Sequence, residues 1–579
     1  MKSLLFALLM LGASCAVAAP ADEFNAIVDA HWSWTLEQSP QLRTYLGDTG
    51  ANDRWDDMSL AAHAQRDAQR ADFLTRLEAV DIDALNEQQQ LSHAMLLRRL
   101  RSERSEYALG LYLMPINMRS GPQHLHTLQE RVSFNSERDY RDWLQRLQQL
   151  PQLLAEYRAL LQEGIRQERT QARVVMERVP AQIDRLLAGE PEDSPFYKPF
   201  NSTTAGLDEA RMAELRNEAS VVIEQGLNPA LAEFREFLLA TYLTACREQP
   251  GIGSLPEGKA LYRFLAGYFT TTDMTPEAIH EVGKAEVARL LEEMEDVKRS
   301  VGFAGDLQAF NAFLRSDPQF YYNSPEALFE GYLAIAKRLD PQLVKLFGKL
   351  PRMPYGVRPI PDTIAPDTTT AYYSRPAANG TQPGYYYVNL HRPEVRPKYE
   401  MEVLSVHEAV PGHHLQIALA QELEGLPMFR TTGGETAFIE GWGLYAERLG
   451  YQMGLYTDPY SRYGQLTYDM WRAVRLVVDT GMHYFGWSRQ EAIDYFTAHA
   501  GKSEADIVNE IDRYIGWPGQ ALAYKIGQLK ILALRERAEE ALGNDFDIRA
   551  FHDYLLGAGA IPLDALERRM DAWIASQRS

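Results

Sequence analysis

Apolar residues recur at three- and four-residue spacing, with charged residues between them, through 139–169, 207–248, 275–300 and 518–541. Positions three and four apart share one face of an α-helix, so each stretch predicts a helix with one buried stripe. Clusters of proline and glycine at 189–199, 250–256 and 351–366 supply the turns between such stretches. No internal repeat, low-complexity tract or long linker interrupts the pattern. It predicts a mainly α protein, one large helical body from residue 19 to 579 with two lobes around a cleft.

One region departs from this period. Residues 368–373 and 384–390 are rich in β-branched and aromatic side chains, with Gly, Pro and Asn between them, which predicts a β-hairpin. It immediately precedes a histidine-rich segment. A strand edge in that place could hold an extended peptide through backbone hydrogen bonds, with Asn389 as a candidate substrate contact. A small structural hairpin accounts for the pattern equally well.

Composition narrows the setting. Lys2, the apolar run from Leu4 to Leu11 and the small residues Ala16-Val-Ala18 form a secretory signal over 1–18. Cys15 follows Gly-Ala-Ser as in a lipoprotein box, but Gly12 stands where leucine is expected, which weighs against lipid anchoring. No later apolar run is long enough to span a bilayer. The expectation is an exported protein, periplasmic or extracellular. Of the two cysteines only Cys246 lies beyond the signal, so the exported chain has no internal disulfide and depends on its core. A formal net charge of −20 argues against nucleic acid or an anionic membrane as partner.

Residues 407–414 read His-Glu-Ala-Val-Pro-Gly-His-His. Zinc hydrolases place two histidines at i and i+4 of a helix with a glutamate after the first. Here the i+4 position is Pro411, which cannot ligate. On a regular helix, at ~100° per residue, His413 points away from His407, and His414 lies two turns off. Pro411-Gly412 offers a solution, since proline breaks the helix and glycine tolerates unusual dihedrals. The break could return a second histidine, His413 or His414, to the first. The alternative is a helix that ends at Pro-Gly, followed by two solvent-facing histidines.

A third candidate lies downstream. Glu440 is the only charge between Ala437 and Ala446, and a carboxylate in such apolar company needs a partner or a cation. Gly441 and Gly443 beside it suggest close approach of another backbone or of substrate. Two histidines and a later glutamate leave a fourth position for water, the catalytic form of zinc coordination. Glu447 and His414 fit supporting places behind the ligands. Asp479 and His483 stand at i, i+4, so the carboxylate could orient the imidazole as an oxyanion donor. Arg513, Tyr514, Tyr524 and Lys525 add two phenols that could serve the oxyanion and two cations that could bind a substrate carboxylate.

The segments 407–416, 440–447, 479–487 and 518–525, with Tyr45-Leu-Gly-Asp48 and 551–557, resemble the bacterial family known as domain of unknown function 885. The resemblance covers nearly the whole chain beyond the signal. That family looks like a distant relative of helical gluzincin peptidases, such as angiotensin-converting enzyme and the thimet-type oligopeptidases. It implies a two-lobed zincin-like fold with a deep cleft and a small sheet beside the metal helix. Gly412-His413 resembles the Gly-His pair of those peptidases with two residues inserted, which favours His413 as second ligand and leaves His414 as the alternative.

The resulting expectation is a zinc metallopeptidase acting on short peptides or small amides, with one Zn²⁺ held by His407, His413 and Glu440. Glu408 would be the general base, and His483 with Tyr514 or Tyr524 the oxyanion donors. Arg513 or Lys525 would be the cation clamp. A non-catalytic peptide-binding protein on a peptidase scaffold is the second reading, and a zinc amidase acting on cell-wall material the third.

Overall fold

The periodic stretches fold as helices with shifted ends. The first is Glu137–Arg166, opened by a reciprocal cap between Ser136 and Asp139. The third is Pro276–Ser300, where the Thr275 side chain accepts from Ala278 N. The second is a run of Glu209–Val222, Asn228–Phe237 and Leu243–Ala245, joined by π-helical turns at Ile223–Leu227 and Leu238–Tyr242. The fourth begins with a 3₁₀ turn, Gln520–Leu522, before Ala523–Leu542. The computed structural model describes residues 19–578 apart from 203–206, 363–364, 366–368, 378–379 and 381. The signal segment 1–18, with Cys15, therefore lies outside the described residues, as does Thr368.

The described residues are mainly α with one small three-stranded sheet of order β1-β3-β2. β2 (Ala371–Ser374) and β3 (Gly384–Val388) pair antiparallel as the expected hairpin. β1 (Tyr355–Pro359) was not expected: it lies within the proline-rich stretch 351–366 and pairs parallel to β3. It is an edge strand that ends on Pro359, a position where a missing N–H costs no ladder bond. Tyr386 of β3 is fully buried and its hydroxyl lies 3.4 Å from Ser405 Oγ, which seats the sheet on the helix Met401–Glu408.

Buried apolar side chains gather in two cores. One takes the sheet and the helices Met401–Glu408, Thr436–Leu449 and Ala523–Leu542; the other takes Glu137–Arg166 and the 209–245 run. The helix Pro459–Thr480 serves both, with Tyr468 and Leu476 in the first core and Tyr463, Met470 and Val474 in the second. A helix enclosed on all sides is expected to be apolar all round. This one nevertheless buries Asp469, Arg472, Arg475 and Asp479, of which Arg472 and Arg475 contact residues of the site.

Candidate metal centre

The helix Met401–Glu408 stops at the Pro-Gly pair and a new helix, His413–Gln421, starts at once. Gly412 N donates to Val406 O at 2.9 Å and His414 N to Ala409 O at 3.0 Å, so the chain doubles back over the end of the first helix. A Cβ on residue 412 would fall 2.0 Å from His407 O; only glycine fits there. Trp442 Nε1 donates to Pro411 O at 2.8 Å and holds the break in place. The result is that the rings of His407 and His413 meet edge to face, with centroids 4.6 Å apart.

The third member comes from the helix Thr436–Leu449, on which Glu440, Gly443 and Glu447 share one face. The His407 ring lies against Gly443, where a Cβ would meet its Cε1 at 2.8 Å. Its two nitrogens therefore reach the carboxylates on either side: Nε2 is 3.8 Å from Glu440 Oε2, and Nδ1 is 2.8 Å from Glu447 Oε1. His413 Nε2 lies 3.6 Å from Glu440 Oε2. Gly441, the other glycine of that stretch, packs on the backbone of Gly527 in the helix Ala523–Leu542.

One donor atom from each of His407, His413 and Glu440 lies within 4.8 Å of the others. Tetrahedral zinc with bonds near 2.0–2.1 Å separates its ligand atoms by about 3.4 Å, so the 3.6 and 3.8 Å spacings fit with a small contraction. Burial alone would raise the Glu440 carboxyl, but the imidazoles of His407 and His413 outweigh it and hold it well below the usual range. Burial would likewise favour neutral His407, yet Glu440 and Glu447 raise its pKa to about 9. Left to themselves, the three side chains need a positive charge among them, the kind of site a divalent cation would satisfy in place of a proton.

Glu447 is fully buried, with Oε1 3.3 Å from Arg472 NH2 as well as on His407. It fixes the His407 tautomer that leaves Nε2 to a metal, the arrangement in which a carboxylate backs a ligating imidazole. Glu408 is partly exposed and has no hydrogen bond or ion pair among the described residues. Tyr524 is partly exposed, within electrostatic reach of Glu440, and stacks against Arg475, whose guanidinium carbon lies 4.4 Å from the ring centroid.

Six other expectations are corrected by the partners these residues have. His414 does not join the ligands: its Nδ1 bonds Tyr373 OH at 2.9 Å and its Nε2 Met353 O at 3.1 Å, tying the sheet to the helix, and burial lowers its pKa to about 4. The Asp479–His483 pair does not form, because the helix widens into a π turn at Gly481–Phe485 and rotates His483 away. His483 is fully buried, with Nδ1 accepting from Ile252 N and Nε2 donating to Tyr514 O, both at 3.0 Å. Asp479 instead accepts from Tyr262 OH and Gly519 N, and burial raises its carboxyl to about 7.

The remaining four are bound into the fold. Tyr514 is fully buried and donates its hydroxyl proton to Glu510 at 2.6 Å while accepting from Arg475. Arg513 is held by Glu510 and Gln520. Lys525, fully buried, meets Asp469 at 2.6 Å and Glu286 and Gln528 at 2.8 Å, which uses all three of its donors. Asn389 is buried and donates to Ala365 O and Thr369 O while accepting from His391 N, so it closes the loops around β3. Sequence reasoning missed Arg472; the signal was available as a cation in the apolar helix Pro459–Thr480.

Fold and site together define a mainly helical protein with a His-His-Glu cluster backed by a buried carboxylate. A family model described as bacterial protein of unknown function (DUF885) matches residues 40–570, and the chain belongs to this family. A solved structure from Colwellia psychrerythraea, described as a "putative lipoprotein", is 27% identical with a TM-score of 0.90; the match covers 97% of this chain and 100% of that one. A second, from Shewanella oneidensis and likewise described as a lipoprotein of unknown function, is 18% identical with a TM-score of 0.76 over 96% of this chain and 100% of that one, a likeness of fold alone. No curated protein matches. No described helix is long and apolar enough to cross a membrane.

Proposed function

We propose that this chain is an exported zinc-dependent peptidase acting on short peptides, a distant relative of the helical gluzincins. The observation that carries the reading is the convergence of His407 Nε2, His413 Nε2 and Glu440 Oε2, with Glu447 behind His407. Zinc, when bound, supplies Lewis acidity towards a peptide carbonyl and lowers the pKa of water. Glu408, adjacent to the first ligand and without a protein partner, takes a proton from the attacking water and delivers it to the leaving amine. Tyr524, partly exposed and hydrogen-bonded to Gln520, is the phenol placed to serve the carbonyl oxygen, because Tyr514 and His483 are fully buried and engaged elsewhere. Export is supported by the signal-like residues 1–18 and by the description of both similar structures as lipoproteins.

Metal analysis of the purified protein, followed by Glu408→Gln on a peptide library, tests the proposal. The expected result is about one zinc per chain, with turnover falling roughly 10²- to 10⁴-fold in the variant while zinc is retained. Zinc binding with wild type and variant equally inert would leave a peptide-binding protein and end the peptidase reading.

A further inference from the structure

With Arg513 and Lys525 bound into the protein, the charge near Tyr524 has another source. Arg475 stacks on Tyr524, Arg513 lies 4.6 Å from the Tyr514 ring centroid, and the two guanidiniums share Glu510. A third guanidinium arrives from a distant part of the chain. Arg119 sits in a tight turn closed by Asn117 N to Ser120 O at 2.9 Å and Ser120 N to Asn117 O at 3.2 Å. Asn117 Nδ2 donates to Gly516 O at 3.1 Å, which pins the turn to the end of the helix Glu504–Gly516 carrying Arg513 and Tyr514.

From there Arg119 is within electrostatic reach of Arg513, Glu510, Tyr514 and Tyr524, and Tyr524 within reach of Glu440. The Arg119 side chain has no ion pair or hydrogen bond among the described residues. It is exposed, yet the surrounding protein and then the like charge of Arg513 lower its pKa. The chain continues into Pro122–Arg131, whose Glu130 and Arg131 reach Tyr372 on β2. Residues 117–131 thus run from the end of the helix Glu504–Gly516 to within electrostatic reach of Tyr372 on β2.

Three guanidiniums around one carboxylate leave an excess of positive charge, which favours an anionic ligand. We propose that Arg119, supported by Arg475 and Arg513, is a specificity-determining residue that binds the free C-terminal α-carboxylate of a peptide lying over His407, His413 and Glu440. This rests on the peptidase reading of that site. The planar guanidinium matches a carboxylate through two parallel hydrogen bonds, which a lysine cannot reproduce in full.

The test measures fluorescence anisotropy of a dansyl-labelled tripeptide as free acid and as C-terminal amide, on zinc-loaded Glu408→Gln protein with and without Arg119→Ala or Arg119→Lys. The acid should bind roughly ten- to hundredfold more tightly than the amide. That ratio should fall to near one in Arg119→Ala and partly return in Arg119→Lys, with thermal unfolding unchanged because Arg119 is exposed. An equal ratio in wild-type background and Arg119→Ala would overturn the proposal. So would an amidated peptide ending in glutamate that binds as tightly as the acid, since the clamp would then not read the terminus. Binding is read without turnover, so a wild type that fails to hydrolyse peptides ends the peptidase reading and leaves this result standing. Hydrolysis without acid preference does the reverse.

Discussion

The imidazole of His407 lies so close to Gly443 that a Cβ at residue 443 would stand 2.8 Å from the ring. The glycine lets two successive turns of one helix present Glu440 and Glu447 to opposite nitrogens of the same histidine.

Gly443→Ala should therefore displace His407 without unfolding the protein, since alanine is a better helix former. Zinc affinity should fall roughly ten- to hundredfold, the range seen when the supports of a ligating histidine are disturbed. Competition with a chromophoric chelator measures it; undiminished affinity would mean that the ring has room to spare.

Glu447→Gln removes the negative charge behind His407 while keeping the side chain's shape. It leaves Arg472, which is 6% exposed, facing an amide. Loss of a buried ion-pair partner costs about 3 kcal/mol, which urea denaturation should register. Zinc affinity should fall by about tenfold or more as the tautomer is freed.

The two neighbouring histidines should separate cleanly. His413→Gln is expected to abolish stoichiometric zinc binding with little change in stability. His414→Gln is expected to keep zinc and lose about 1–2 kcal/mol through its bonds to Tyr373 and Met353. Metal content and chemical denaturation of both variants decide the assignment, and the opposite pattern would move the second ligand to His414.

Acid should unfold the protein partly through two histidines remote from the metal residues. Burial lowers both His483 and His552 to about 3; His552 Nε2 bonds Tyr445 OH and its Nδ1 Leu346 O, both at 2.8 Å. The native state holds these rings neutral, whereas the unfolded chain takes up protons near 6.5. Their contribution is complete above about pH 6.5 and is lost as pH falls towards 3, at up to about 1.4 kcal/mol per pH unit for each ring. His552→Gln should lower stability at pH 7 but reduce the slope between pH 6 and 4 by about one proton, a difference that denaturation at stepped pH resolves.

What the sequence determined by itself was local. The helices follow from a period set within one or two turns, and the β2–β3 hairpin from side-chain branching and turn residues. Pro411-Gly412 announced a break because proline and glycine act on their own backbone. Glu440 stood out because a carboxylate among apolar neighbours requires a countercharge. β1 was hidden because its pairing partner supplies what its prolines obscure.

Roles were decided only by the tertiary structure, because a polar side chain acts through whichever donors and acceptors its neighbours leave it. His483, Arg513, Lys525 and Asn389 have the chemistry expected of a site, but protein partners occupy their polar atoms, distant ones for His483 and Lys525 and nearer ones for Arg513 and Asn389. The choice of His413 over His414 depends on a helix thirty residues away in register with the break, roughly the separation of Pro411 and Trp442. Arg119, more than two hundred residues along the chain from Asn389, carries no motif. Its meaning comes from Gly516, which anchors its turn beside Tyr514.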